Sequence, residues 1–155
     1  MRRVRLLLLV GAFMVGGCGQ LGVGGEQVCT AIGCVNGVTV SVAGVGLGPD
    51  GGRVMAKFCF DGSCEQGRYT QQPSGASRSN NRQLEISVDS DRVDVMLLLP
   101  DGDYDEGRLY DVELTLRIAG GDPIRVERQV NLERSQPNGQ NCAPVCWGAR
   151  IEHTV

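Results

Sequence analysis

The chain has 155 residues, with 15 basic and 18 acidic side chains, 23 glycines, seven cysteines and 5% aromatic residues. That is enough for one hydrophobic core with few large rings to fill it. The formal net charge of −3 lacks the Lys/Arg excess that neutralising nucleic-acid phosphates requires, so nucleic acid is not an expected partner.

Arg2, Arg3 and Arg5 precede an uncharged run, Leu6 to Val10 and Ala12 to Val15, in the order of a secretory signal peptide. Spanning a bilayer takes about 20 apolar residues, and this run is shorter and broken by glycine. It ends in Val15-Gly16-Gly17-Cys18. An aliphatic residue, two small residues and a cysteine resemble the lipobox of bacterial lipoproteins. The resemblance covers residues 1–18 and implies cleavage before Cys18, thioether lipidation of Cys18 and acylation of its new amino group. Membrane lipid is then the first expected partner, since two or three acyl chains hold stably where one holds marginally. Gly19 is unlike the aspartate that retains such proteins at an inner membrane. The implied location is extracytoplasmic, at the outer membrane where a cell has one.

Without residues 1–17 the chain loses three arginines and no acid, leaving 12 basic and 18 acidic residues and a net charge of −6. Such a chain offers no polybasic attraction to anionic lipid. Residues 18–28 contain Gly19 to Gln27, which is rich in glycine and has no apolar period, and read as a flexible tether reaching roughly 15–20 Å. Residues 29–155 read as the domain.

In that domain Val38, Val40 and Val42 alternate with Thr39 and Ser41, the period of a half-buried strand. Pro49-Asp50-Gly51-Gly52 ends the pattern, which resumes at Val54, Ala56, Phe58 and Phe60. Asp61-Gly62 then reads as a two-residue type I′ turn. This turn places Cys59 opposite Cys64 in a non-hydrogen-bonded pair with Cα atoms about 4.5 Å apart, within disulfide range, so a Cys59–Cys64 bridge is expected.

Tyr69 to Asn81 reads as a long surface connection. Alternation returns at Leu84, Ile86 and Val88, at Val93, Val95, Leu97 and Leu99, and at Val112, Leu114, Leu116 and Ile118. Ile124, Val126, Val130 and Leu132 follow, with Arg128 on the same parity marking an edge or a kink. Trp147, Ala149, Ile151, His153 and Val155 complete the pattern. With no amphipathic helical period, seven to nine short strands predict a single all-β, disulfide-stapled sandwich.

The run Asp105-Glu-Gly-Arg-Leu-Tyr110-Asp-Val112 resembles the corner before strand F of immunoglobulin-like domains, where Asp-x-Gly-x-Tyr-x-Cys is common. One extra residue precedes Tyr110, and Val112 stands in place of the cysteine. The resemblance implies an immunoglobulin-like sandwich with a tyrosine corner at Tyr110. Because first and last strands often lie side by side in such sandwiches, it also favours Cys29–Cys142 and Cys34–Cys146 over the local pairs Cys29–Cys34 and Cys142–Cys146.

Six cysteines in an exported chain read as three structural bridges, and none forms Cys-x-x-Cys. Asp101, Asp103 and Asp105 place oxygens at alternate positions, as a calcium loop begins, but Glu106 and Val112 stand where an EF-hand needs glycine and glutamate. A solvated turn is the expectation, with no resident metal or cofactor. His153 has no nucleophile motif beside it and reads as a packed histidine. Paired carboxylates leave no local signature. The functional expectation is therefore a non-catalytic, membrane-anchored envelope lipoprotein with a binding or structural role and an unidentified protein or glycan partner. The alternatives are an extracytoplasmic carboxylate enzyme or a weak calcium- or small-ligand-binding module.

Overall fold

The structure, a computed structural model, describes residues 32–46, 52–71, 77–79, 81–118 and 121–155, with backbone alone at 71 and 77–79. The signal, Cys18, the tether and Cys29 lie outside these residues. Among the described residues ten strands follow one another: β1 (Gly37–Ala43), β2 (Arg53–Phe60), β3 (Ser63–Gln71), β4 (Ser77–Ser79), β5 (Leu84–Val88), β6 (Arg92–Leu98), β7 (Leu109–Ile118), β8 (Ile124–Asn131), β9 (Glu133–Ser135) and β10 (Cys146–Thr154). They form two five-stranded sheets, ordered β5-β6-β1-β10-β9 and β4-β3-β2-β7-β8.

Alternation decides which side chains meet between the sheets. Val38, Val40, Val42, Leu84, Ile86, Val93, Val95 and Leu97 bury the inner face of the first sheet, and Val54, Phe58, Val112, Leu114, Leu116 and Val126 that of the second. All belong to one core. The core is built mainly from β-branched and leucine side chains, which suits pleated strands and offsets the scarcity of rings.

The strand count exceeds the expected seven to nine because β4 and β9 have three residues each, too few to display a period. The connection expected over residues 69–81 is also corrected. β3 continues to Gln71, and Tyr69, Thr70 and Gln71 pair with Ser79, Arg78 and Ser77 of β4. β3 itself had no legible apolar period because its inward positions are Glu65, Gly67 and Tyr69. Gly67 is needed there: a Cβ would stand 2.8 Å from Leu84 Cδ2 and 3.3 Å from Ile86 Cδ1. β8 is an edge strand, which accommodates Arg128 on its inward parity.

β1 is central in its sheet, antiparallel to β6 and parallel to β10. The parallel pairing puts Gly37 beside Gly148 and Ala43 beside Thr154, so the chain enters the domain at the same end at which β10 begins. Among the described residues no helix is long and apolar enough to cross a membrane.

Candidate functional site

The entry end of the sandwich concentrates most of the residues singled out in the sequence. Phe60 closes β2, Asp61 and Gly62 turn the chain, and both have positive φ, at 47° and 84°, as a type I′ turn requires. The turn sets Phe60 opposite Ser63 and Cys59 opposite Cys64. Cys59 and Cys64 are joined, with Cα atoms 4.0 Å apart. Cys34 is joined to Cys146 across a sequence separation of 112, with Cα atoms 6.1 Å apart. This second bridge ties the residues before β1 to the first residue of β10. Cys142 is buried and disulfide-bonded; its expected partner Cys29 lies outside the described residues.

Two asparagines reinforce the staple, and neither stood out in the sequence. Asn36 accepts the backbone N–H of Trp147 at 2.9 Å and donates to the carbonyl of Pro100 at 3.3 Å, linking the entries to β1 and β10 with the exit from β6. Asn138 accepts from Ile32 N–H at 2.8 Å and donates to Ile32 O at 3.0 Å and to Ala143 O. Both are buried polar side chains, and these bonds offset their desolvation. Asn-Gly at positions 36–37 and 138–139 signals turns, but hydrophobic patterning carries no information about such clamps.

Beside the staple, four of the chain's seven aromatic rings gather under the loop at 99–108. Phe60 stacks on Tyr110 with centroids 5.1 Å apart, and Tyr104 meets Tyr110 and Trp147 edge-on at 6.2 and 6.3 Å. Trp147 is buried in the core, as is Tyr110. The Tyr110 hydroxyl accepts the N–H of Asp105 at 3.0 Å, and the Tyr104 hydroxyl donates to Pro100 O at 2.9 Å. Arg108 lies over the Tyr110 ring at 4.7 Å and pairs with Asp61 at 2.6 Å. An open cleft of about 530 Å³ results, with Phe60, Leu99, Tyr104 and Tyr110 as its apolar wall and Glu65 and Asp103 among its acids.

The cleft sets an aromatic wall beside carboxylates and the Arg108 guanidinium. Both tyrosine hydroxyls are committed to the backbone, and the Tyr104 phenol is pushed above its ordinary value, first by burial and then by Tyr110 and Asp101, so it remains protonated. Asp101, Asp103 and Asp105 are exposed, and the loop geometry does not gather them. Among the described residues no group of three or more His, Cys, Asp or Glu side chains is arranged to hold a metal ion. His153 pairs in register with Val42, six residues along β10 from Trp147 and hence roughly 20 Å from the cleft.

A second polar cluster lies on the outward face of the first sheet. Ser41 is fully buried, and its hydroxyl accepts from Arg150 at 3.0 Å. Arg150 also donates to Glu152 at 2.8 Å and stands 4.0 Å from Asp94. The hydrogen bond from Arg150 holds the Glu152 carboxyl below the usual carboxylate range, against a smaller opposing effect of desolvation. This triad of charges covers β1 and has the character of a structural network. Compared with known proteins, the chain matches no family model, no curated protein and no solved structure.

Proposed function

We propose that the protein is an envelope lipoprotein, anchored through acylated Cys18, whose domain is an immunoglobulin-like sandwich with a non-catalytic binding or structural role. The observation that carries this reading is the covalent and hydrogen-bonded clamp at the chain's entry. Ile32, among the first described residues, is fastened to Asn138 in the segment that leads into β10, and Cys34 and Asn36 to Cys146 and Trp147, the first two residues of β10. A domain pulled on by a membrane anchor needs reinforcement at this point, where force enters. Disulfides that persist also favour an oxidising, extracytoplasmic compartment, in keeping with the signal at residues 1–18.

The sandwich type is supported by strand order and by one hydrogen bond. Immunoglobulin sandwiches place A, B, E and D in one sheet and C″, C′, C, F and G in the other. The order β5-β6-β1 corresponds to D, E and B, and β4-β3-β2-β7-β8 to C″, C′, C, F and G, with β10 in the position of A. Tyr110 then falls at the start of the F equivalent and bonds back to Asp105, as a tyrosine corner does.

The test is the intact mass of the protein extracted from its native membrane and alkylated before and after reduction. A diacylated or triacylated chain starting at Cys18, with no free thiol until reduction, is expected. An unmodified Cys18 overturns the anchor, and thiols free before reduction overturn the stapled, exported domain.

A further inference from the structure

The net charge of −6 expected for the mature chain conceals a segregation on the outward face of β4-β3-β2-β7-β8. Alternation there points Arg53, Met55 and Lys57 of β2 outward, together with Arg68 of β3, Arg117 of β7 and Arg125 of β8, and all six are exposed. Register brings them into adjacent rows. Met55 has Arg68 on one side and Arg117 on the other, while Lys57 lies beside Thr115, which in turn faces Arg125. Neighbouring strands lie about 4.8 Å apart, so cations within a row are separated by roughly 10 Å. Among the described residues Arg53, Lys57, Arg117 and Arg125 form no ion pair. A shallow groove of about 500 Å³ runs across this patch.

The acids of the same face lie elsewhere. Glu113 faces Glu127 and Asp111 faces Gln129, towards the entry end of the sheet. The basic rows are towards the opposite end, crossing β7 at Thr115 and Arg117, two to six residues beyond Glu113 and Asp111, or roughly 7–20 Å away. The cations therefore lie at the end of the domain distal to Ile32 and the entry clamp.

We propose that this basic patch binds an anionic polysaccharide, a linear chain bearing carboxylate groups, that crosses the strands over Arg53, Lys57, Arg68, Arg117 and Arg125. Four of the five cations are arginines, whose planar fork matches a carboxylate in two parallel hydrogen bonds. An extended groove of spaced cations suits a flexible polyanion, whose counterions are released on binding. A membrane plane is a poorer match, because laying this face on anionic lipid presses Asp111, Glu113 and Glu127 against like charge. A second copy of the chain complements the charges but finds only Met55 as an exposed apolar contact among these residues, whereas stable interfaces have apolar centres depleted of charge. The inference goes beyond the lipoprotein reading and does not depend on lipidation of Cys18.

The test uses the oxidised mature protein in nonionic detergent, with polygalacturonate as the probe and neutral dextran as the control. Retention on polygalacturonate that weakens with added salt is expected, with none on dextran. The triple variant Arg53→Gln, Arg117→Gln, Arg125→Gln is expected to bind at least tenfold more weakly, and Arg82→Gln with Arg134→Gln, exposed elsewhere, to stay within twofold of the parent. Equal retention on dextran, or unchanged binding by the triple variant, overturns the proposal. So does displacement of polygalacturonate by micellar phosphatidylglycerol at lower charge concentration, which assigns the patch to lipid head groups. Self-association that the triple variant abolishes overturns it in favour of a second copy. All five substitutions are at exposed positions, and unchanged unfolding midpoints separate lost binding from lost folding.

Discussion

The Tyr110 hydroxyl accepts the backbone N–H of Asp105 at 3.0 Å, tying the loop after β6 to the first turn of β7 from the inside. The same ring is stacked on Phe60 and covered by Arg108, so one side chain joins loop, hairpin and core. Tyr110→Phe keeps the ring and removes the acceptor. Loss of about 1 kcal/mol is expected, the ordinary net value of a hydrogen bond with a part-buried donor left behind. A urea midpoint equal to that of the parent would show that the corner contributes nothing to stability.

The two bridges with both partners described differ in the length of chain they close. In the loop-entropy model a closure over 112 residues contributes about 4.8 kcal/mol and one over five or six about 2 kcal/mol. Replacing Cys34 and Cys146 together by serine is accordingly expected to lower stability more than replacing Cys59 and Cys64. Equilibrium unfolding of the two double variants decides the order, and the reverse ranking would mean that the turn at Asp61-Gly62, rather than the entry clamp, is the tie that matters.

What the sequence revealed follows from where information is local. Strict alternation at Val112, Leu114, Leu116 and Ile118 specifies β7 without reference to any other segment, and Asp61-Gly62 fixes its own turn and the register of Cys59 with Cys64. β3 was illegible because its inward face carries Gly67, whose role is defined by Leu84 and Ile86 on the other sheet. The clamps at Asn36 and Asn138 were hidden for the same reason, since Trp147, which Asn36 holds, and Ile32, which Asn138 holds, each lie more than one hundred residues away in sequence. The basic patch required register: Arg53, Arg68, Arg117 and Arg125 are scattered across four strands, and the net charge averages them with acids at the other end.

Gly67 makes a close approach that can be tested by adding atoms. Valine there drives methyl groups into the fully buried Leu84 side chain, and overpacking of this kind destabilises by about 1–3 kcal/mol. Truncating Leu84 to alanine in the same chain makes room, so the double variant is expected to lose less than the two single losses added together. Strict additivity in a double-mutant cycle would refute the contact.

Tyr104 predicts an alkaline limb of stability. Its folded-state value is raised above the ordinary tyrosine value near 10, with burial the largest cause. Well below pH 10 folded and unfolded chains both keep the proton. As pH rises past that point the unfolded chain releases it first, so this contribution to stability is lost as pH climbs through the raised folded value. Tyr104→Phe is expected to flatten the decline above about pH 10 while losing about 1 kcal/mol at neutral pH with the bond to Pro100. Melting temperatures of parent and variant between pH 8 and 11 provide the comparison, and parallel curves would sink the assignment.

Asn138 tests whether the entry clamp fastens the tether side of the domain. Its amide satisfies both the N–H and the carbonyl of Ile32, a pairing that imitates one rung of a strand. Asn138→Ala removes both bonds and leaves a part-buried carbonyl, Ala143 O, without this donor. A loss of about 1 kcal/mol is expected, because the groups left behind are only part-buried. The more discriminating consequence is local. The Ile32 amide is expected to exchange hydrogen much faster in the variant while amides of β7 slow or quicken only as global stability dictates. The disulfide at Cys34 lies two residues further on, so fraying stops there if the bridge is the second catch. Exchange spreading from Ile32 into β1 would mean instead that Asn138, and not the bridge, is what holds the first strand against β10.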